Sequence, residues 1–185
     1  MAAQLNGKRI AFLVANQGVE QVELTSPWQA VEQAGGQPVL LAPDKDKVQA
    51  VNGDINPGDE FQPDAEVASV SADDFDALVL PGGVANPDKL RIVPEAVQFV
   101  QAFARAGKPV AAICHGPWSL VEADVVRGKT LTSWPSLQTD IRNAGANWQD
   151  QEVFTCQEQG FTLITSRKPD DLPAFNETLL AVFAG

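Results

Sequence analysis

One cysteine lies where the sequence predicts a sharp turn of the chain. Cys114 follows an apolar run at residues 109–113 and precedes Pro117. Ala112 and Gly116 fit a tight strand-to-helix corner, because a larger side chain at either position would collide with the neighbouring strand or helix. Such a corner lifts the sulfur clear of the sheet and brings it near the first amides of the next helix, where a thiolate is favoured. The pattern predicts a reactive cysteine.

The only histidine of the chain, His115, directly follows that cysteine. Any imidazole chemistry must therefore occur here, and the pair matches the general arrangement of a nucleophile with a base. A merely buried cysteine is the alternative, since free cysteines are often core residues. The neighbouring histidine favours the reactive interpretation. Cys156, in an apolar segment, is expected to be a core or edge residue and not a resolving thiol.

Two glutamates, Glu20 and Glu23, follow the first predicted strand. Loops at the carboxyl ends of parallel strands converge on one crevice, so this loop can reach Cys114. A carboxylate beside a thiolate should share one proton with it, which raises the pKa of the acid and supplies a proton for acid–base catalysis. Both glutamates could instead cap the helix that begins near residue 22, and the spacing alone favours that role.

Two glycines and two tryptophans complete the set of candidate site residues. Gly82 and Gly83 follow another predicted strand and form either an ordinary turn or, with the amide of His115, a set of donors to an oxyanion. Trp118 and Trp134 could line a pocket, although aromatic residues beside a sheet more often serve packing.

The elements that must position these residues alternate as in a doubly wound α/β sheet. Residues 43–66 are rich in Asp, Gly and Pro and predict irregular loops that could include a small hairpin, and the polar turn at 16–18 is predicted to end the first strand. Apolar runs predict strands over 9–15, 38–42, 76–80, 109–113, 130–132, 152–156 and 161–165. Periodicity and stop signals predict helices over 22–34, 94–106 and 135–144, after the cysteine, and from about 171.

Length and charge limit the function classes. The 185 residues fit one α/β domain. Thirteen Lys and Arg stand against 24 Asp and Glu, and the net charge of −11 disfavours nucleic acids and anionic membranes as partners. No signal sequence is recognisable at the N-terminus and no apolar run approaches the length of a membrane span, so a soluble cytoplasmic protein is expected.

Cofactor motifs are not recognisable in the sequence. Two separated cysteines and one histidine give no zinc-ligand spacing and no disulfide framework, which favours a reducing compartment. Neither the dinucleotide fingerprint nor the phosphate-binding loop occurs, so nucleotide binding is disfavoured. The chemistry is expected to use no metal and no cofactor.

Several motifs together resemble the PfpI/ThiJ superfamily. The resemblance covers nearly the whole chain and is closest to the PfpI-type branch, which includes bacterial general stress proteins. It rests on VEQVEL at the first helix, DALVLPGG, AICHGP after PVA, LTSWPSLQTDIRNAGANW and SRKPDDLP.

This resemblance implies a flavodoxin-like three-layer α/β sandwich with a mostly parallel sheet, in which residues 1–185 form one glutamine-amidotransferase-like domain. It implies a homodimer or larger assembly, with Cys114 as the nucleophile at an elbow and Glu23 as its acidic partner. Glu20 remains the alternative, because the loop before the first helix is one residue longer than the common pattern. The amides of Gly83 and His115 would surround the oxyanion.

The sequence also departs from the family pattern. Trp118 stands where a smaller or polar residue is expected, and Trp134 where a tyrosine is usual, which changes the space and hydrogen bonding of the pocket. An acid from an adjacent subunit orients the histidine in PfpI-type proteins, and no such acid is identifiable here. His115 would be a poor base without it.

The function implied by the resemblance is a stress-response hydrolase of the glyoxalase or deglycase type. Cys114 would attack reactive dicarbonyls such as methylglyoxal, or their early adducts on the amino groups of proteins. One alternative is an intracellular cysteine peptidase with His115 as base. Another is a redox sensor or chaperone-like stress protein in which Cys114 becomes a sulfinic acid held by Glu23, and the fourth is an inert scaffold.

Overall fold

The computed structural model describes residues 4–185 and contains a sheet flanked by helices. The strands are β1 (Arg9–Leu13), β2 (Gln17–Glu20), β3 (Gln37–Ala42), β4 (Val48–Asn52), β5 (Asn56–Phe61), β6 (Ala65–Glu66), β7 (Ala77–Leu80), β8 (Val110–Ile113), β9 (Thr130–Leu131), β10 (Asn147–Trp148), β11 (Val153–Cys156) and β12 (Leu163–Ser166). The helices are α1 (Gln21–Gln33), α2 (Ala85–Leu90), α3 (Pro94–Arg105), α4 (Pro117–Glu122), α5 (Gln138–Asn143) and α6 (Leu172–Ala184).

Seven strands form the central sheet in the order β11-β12-β8-β7-β1-β3-β6. All neighbours are parallel except β11, which runs antiparallel to β12 at one edge. Strands β7 and β8 are buried along their whole length, as expected for strands covered by helices on both faces. The predicted mostly parallel α/β fold is confirmed.

Two apolar clusters cover the two faces of this sheet. Phe99 and Phe103 of α3 belong to one cluster, which also includes residues of α4 and α5. Phe12 of β1 lies in the other with Phe175 and Phe183 of α6, and Trp28 of α1 packs against it. Burial of these large side chains is the dominant stabilising contribution of a three-layer fold.

Helix α1 carries the candidate acid and has clear stop signals. Gly35 adopts a left-handed φ of 82°, its N–H donates to Glu32 O, and the N–H of Gly36 donates to Val31 O. These two bonds form a Schellman motif, which satisfies carbonyls at the helix end. Pro27 lies within the helix and cannot donate to the carbonyl of Glu23, so the first turn has one backbone hydrogen bond fewer.

Three elements differ from the sequence prediction: β2, α2 and the helix predicted over 135–144. Residues 16–18 do not simply end the first strand, because Gln17–Glu20 form β2, which pairs parallel with β4. The predicted loop at 43–66 does contain a hairpin, β4 with β5, and the three strands form a separate small sheet. Helix α2 was not predicted, and the helix expected over 135–144 is a 3-10 turn followed by the shorter α5.

Among residues 4–185 no helix has the length and apolarity needed to cross a membrane.

Candidate active site

Cys114 lies at the corner between β8 and α4 at the centre of the sheet. Its φ is 61°, in the left-handed region that is uncommon for a residue with a Cβ. The backbone is held on both sides, because its N–H donates to Ser166 O at 3.0 Å and its C=O accepts from Trp134 N at 2.9 Å. The side chain is 5% exposed. The fold therefore fixes the sulfur in one position under the carboxyl ends of the strands.

Glycines allow the chain to pass close to this cysteine. A Cβ at Gly116 would collide with the carbonyl oxygen of Leu80, which gives the physical reason for the small residue two positions after the cysteine. A Cβ at Gly82 would lie 2.7 Å from the Cβ of Cys114 and would collide with Glu23 Oε2. Because Gly82 has no side chain, the thiol of Cys114 and the carboxyl group of Glu23 can lie close together.

Glu23 is fully buried at the start of α1 and faces the same point. Its Oε2 accepts the N–H of Gly82 at 2.8 Å, while Oε1 has no hydrogen-bond partner within the described part of the chain. Burial raises the pKa of Glu23 to about 8, against the hydrogen bonds with Cys114 and Gly82 that lower it. The carboxyl group therefore holds a proton near neutral pH.

The thiol of Cys114 is coupled to that carboxyl group. Burial raises the pKa of Cys114, and the charge of Glu23 raises it further, whereas the N–H groups of Gly83 and His115 at the sulfur lower it. The sequence predicts that the amides at the start of the helix favour a thiolate, and they do lower the pKa, but burial of the sulfur outweighs them. Two adjacent acidic groups that are both buried do not both carry a negative charge. A thiolate at Cys114 therefore requires that Glu23 keep its proton.

His115 lies beside the thiol as a neutral imidazole. Its Nδ1 is 3.2 Å from Cys114 Sγ, and burial lowers its pKa, against the charge of Asp54. No carboxylate among residues 4–185 lies within 4.0 Å of its ring nitrogens or accepts a hydrogen bond from them. Nothing in the described chain therefore orients this imidazole as the acid of a triad would.

Both tryptophans contact the imidazole. The ring of Trp134 stacks on His115 with centroids 5.8 Å apart, and that of Trp118 meets it edge-on at 5.4 Å. Trp118 is fixed by its Nε1–H, which donates to Asp140 Oδ2 at 2.8 Å. Trp134 is 38% exposed and forms an apolar surface next to the thiol. In the described chain the imidazole of His115 is thus held by two aromatic rings and not by a carboxylate.

Glu20 points away from the thiol. Its carboxylate oxygens accept the N–H groups of Gly53 and Asp54 at 3.0 Å each, at the tip of the β4–β5 hairpin. Glu20 occupies the N-cap position of α1, but its side chain forms no capping hydrogen bond with the helix. Of the two glutamates that the sequence left open, the structure places Glu23 at the thiol and Glu20 at the hairpin.

Two residues of this region were missed from the sequence. Asp54 at the hairpin tip accepts the N–H of Val84 at 2.8 Å. Asn86 is fully buried and connects two loops, because it accepts from Ala15 N at 2.7 Å and donates to the carbonyls of Pro81 and Gly82. An Asn-Gly dipeptide before Asp54 is a hairpin signal that would have indicated the turn, but no local signal marks Asn86.

A metal centre has no basis in these side chains. Within residues 4–185 no three or more His, Cys, Asp and Glu side chains are grouped so that they could hold a metal ion. What the arrangement offers is a nucleophile, a proton-holding acid next to it, and backbone N–H groups directed at the sulfur.

The model of the DJ-1/PfpI family matches residues 8–182. The chain belongs to the DJ-1/PfpI family. Three relatives match nearly the whole length of both chains, and the resemblance identified from the motifs is confirmed.

Two Bacillus subtilis relatives are similar along almost the entire chain. General stress protein 18 is 43% identical over 176 residues, which are 95% of this chain and 98% of the relative. The protein named "Putative cysteine protease YraA" is 42% identical and covers 94% of this chain and 96% of its own.

An Escherichia coli relative and a solved structure extend the comparison. Protein/nucleic acid deglycase 2 is 41% identical over 94% of this chain and 96% of the relative. The crystal structure of Drosophila melanogaster DJ-1beta superposes with a TM-score of 0.81 at 27% identity, covering all of this chain and 92% of the other. These relatives carry three different functional names: general stress protein, putative cysteine protease and protein/nucleic acid deglycase.

Proposed function

We propose that this DJ-1/PfpI protein is a cysteine-dependent stress-response hydrolase for reactive dicarbonyls, or for the early adducts that they form on proteins. The observation that carries the proposal is the buried pair of Cys114 and Glu23, in which the acid holds a proton next to the sulfur near neutral pH. The similarity to a stress protein and to a deglycase supports the same chemistry.

The reaction uses one sulfur and one proton carrier. As a thiolate, the Cys114 sulfur adds to the aldehyde carbon of methylglyoxal, the carbonyl oxygen takes the proton of Glu23, and a hemithioacetal forms. Glu23, now a carboxylate, removes the proton on that carbon and returns it to the neighbouring ketone carbon, while the hydroxyl proton of the hemithioacetal passes to the former ketone oxygen, which gives a lactoyl thioester. Water then cleaves the thioester, and lactate leaves as the thiol is restored. The N–H groups of Gly83 and His115 stabilise the oxyanion at the first and last steps.

Lactate formation from methylglyoxal tests nucleophile and proton carrier together. Cys114→Ser and Glu23→Gln should each reduce turnover by about two to four orders of magnitude, because the first removes the nucleophile and the second the transferable proton. Cys156→Ser is the matched control and should retain wild-type turnover, since that thiol belongs to another part of the sheet. Wild-type turnover no faster than background would refute the dicarbonyl activity.

A peptidase is the rival enzyme function, and one relative carries a protease name. Peptide hydrolysis needs an oriented imidazole as base and acid, whereas His115 in this chain is held by Trp118 and Trp134. His115→Asn therefore separates the two activities. Peptide cleavage lost in this variant, with lactate formation retained, would assign the peptidase role to an assembly that supplies the missing acid.

A redox sensor is supported by the same buried acid. A sulfinic acid formed at Cys114 would accept the proton of Glu23 in a strong hydrogen bond. Mass spectrometry after peroxide treatment would then show two added oxygens at Cys114 of the wild type and less stable oxidation in Glu23→Gln. Stoichiometric oxidation without lactate turnover would favour the sensor over the enzyme.

The remaining proposals concern the assembly, the location and the substrate class. We propose a homodimer or larger assembly, as the family resemblance implies. We also propose a cytoplasmic location, because two free cysteines fit a reducing compartment. The E. coli relative is named for nucleic acid as well as protein, but the net charge of −11 favours small carbonyls and modified proteins as substrates here.

A further inference from the structure

Three successive backbone amides after β7 meet three different acceptors. The N–H of Gly82 donates to Glu23 Oε2 at 2.8 Å, and the N–H of Val84 donates to Asp54 Oδ1 at 2.8 Å. Between them, the N–H of Gly83 lies at the Cys114 sulfur. Two carboxylates from different elements thus hold the peptides on both sides of the one amide that serves the reacting atom.

Asp54 reaches this loop because the hairpin tip is itself fixed. The carboxylate of Glu20 accepts the N–H groups of Gly53 and Asp54, and the side chain of Glu20 is only 9% exposed. Asp54 has a left-handed φ of 64°, which Asp tolerates better than most residues. The backbone N–H of Glu20 also donates to the carbonyl of Gly82 at 3.3 Å. Glu20 therefore ties the hairpin tip and the glycine loop to the end of β2.

The glycine loop is also packed closely against β2 and held by Asn86. Gly83 has a φ of 83°, and a Cβ there would lie 2.7 Å from Glu20 N and would collide with the carbonyl oxygen of Gly18. From the other side Asn86 donates to the carbonyls of Pro81 and Gly82. None of these contacts involves the amide of Val84, whose acceptor in the described chain is Asp54.

We propose that Asp54 is a positioning residue of the active site. By holding the amide of Val84, it aims the N–H of Gly83 at the Cys114 sulfur and at the oxyanion of the bound substrate, and Glu20 keeps Asp54 in place. The role requires an oxygen acceptor at Asp54 and not its charge. It rests on the proposed function to the extent that Cys114 is the nucleophile.

The test compares substitutions at two acids of the same hairpin in a Cys156→Ser background. Asp54→Ala removes the acceptor, and Asp54→Asn keeps an oxygen acceptor of similar size. Asp59→Ala is the matched control, because Asp59 accepts a side-chain hydrogen bond from Gln21 Nε2 at 2.8 Å and does not contact the glycine loop. The readouts are the rate at which iodoacetamide alkylates Cys114, followed by mass, and kcat and KM for methylglyoxal.

Asp54→Ala should slow alkylation and lower kcat about tenfold with KM nearly unchanged, because a misaimed donor weakens stabilisation of the sulfur and the oxyanion. Asp54→Asn should restore both rates to within about threefold, and Asp59→Ala should match the parent protein. Wild-type rates in Asp54→Ala would overturn the proposal. Equal losses in the alanine and asparagine variants would also overturn it, since charge and not the acceptor would then matter.

The alkylation readout separates this inference from the proposed function. A parent protein that is alkylated at Cys114 but forms no lactate refutes the dicarbonyl activity alone, and the alkylation rates of the variants still decide the role of Asp54. A parent protein whose Cys114 resists iodoacetamide overturns both. Thermal unfolding of each variant shows whether a loss of rate is a loss of folded protein.

Discussion

The two cysteines of the chain are buried to the same degree in different chemical surroundings. Cys114 and Cys156 are 5% and 4% exposed, and both are free thiols. Cys114 lies at a left-handed corner next to Glu23 and His115. Cys156 ends the edge strand β11, and its sulfur accepts the N–H of Thr130 at 3.4 Å. Burial therefore does not distinguish a candidate nucleophile from a structural thiol.

The charged groups near each sulfur explain the difference. Lys129 lies near Cys156, but its ammonium group is used elsewhere, because it donates to the carbonyls of Glu158 and Phe161 and lies 3.7 Å from the centre of the Phe161 ring. Burial lowers the pKa of Lys129, with the charges of Cys156 and Glu158 acting against it. Around Cys114, by contrast, one oxygen of Glu23 has no hydrogen-bond partner in the described chain. Cys114 therefore differs from Cys156 in having next to it an acid with an oxygen free to exchange a proton, whereas the charged group near Cys156 is already hydrogen-bonded.

Gly82→Ala should have the largest effect on this contrast. The added Cβ would collide with Glu23 Oε2 and lie 2.7 Å from Cys114 Cβ, so the thiol and the acid must move apart. Alkylation of Cys114 should slow by at least about tenfold, measured by mass. Gly160→Ala, close to Phe161, is the control, because a Cβ there meets nothing within 4 Å and adds only the strain of a φ of 84°. Equal alkylation rates in the two variants would remove the steric argument.

Lys129→Met should affect stability without affecting reactivity. The substitution leaves the carbonyls of Glu158 and Phe161 without their charged donor, at a cost of about 2 kcal/mol in the free energy of unfolding. Urea denaturation measures the loss, and alkylation of Cys114 should proceed at the wild-type rate. Lys108→Met is matched, since Lys108 also donates to two carbonyls but from a less buried site, and it should cost less. A change in Cys114 reactivity would contradict the separation of the two regions.

Glu23→Gln should change how stability depends on pH. The folded protein holds the Glu23 proton up to about pH 8, whereas the unfolded chain releases it near 4.5. The folded state binds more protons between these values, so its stability falls as the pH rises through this window and then levels off. The amide that replaces the carboxyl group cannot ionise, and the thermal midpoint of the variant should exceed that of the wild type above pH 8.

The same comparison below pH 4.5 should show no gain for Glu23→Gln, because the wild-type carboxyl is then protonated in both states. Glu32→Gln, at an exposed position of the same helix, is the control and should show no such pH-dependent gain. A midpoint difference that is independent of pH would show that the acid is already ionised in the folded protein.

Sequence patterning predicted the central sheet because its strands are covered on both faces. Residues 77–80 and 109–113 are continuous apolar runs, and the structure places β7 and β8 within them. The corner at Cys114 was predicted from small residues at positions 112 and 116, since their size reports a local steric need. Glu23 was favoured over Glu20 only through the family resemblance, because their spacing carries no information about which one turns toward the sheet.

What the sequence did not predict depends on contacts between distant segments. Strand β2 is four residues long and is defined by its pairing with β4, about thirty residues later. The six-residue helix α2 contains Pro87, which obscured its helical pattern. The contact of Asp54 with Val84 exists only once the hairpin has folded over the loop after β7. No local propensity could reveal it.

The backbone of Cys114 has a structural role that does not depend on its side chain. Its N–H and C=O join the end of β12 to the segment before α5, whatever side chain the residue carries. Sulfur chemistry and architecture are therefore separable at this position. A homologue without the thiol could keep this fold, provided that the replacing residue adopts the left-handed conformation. The same scaffold could then carry a different activity.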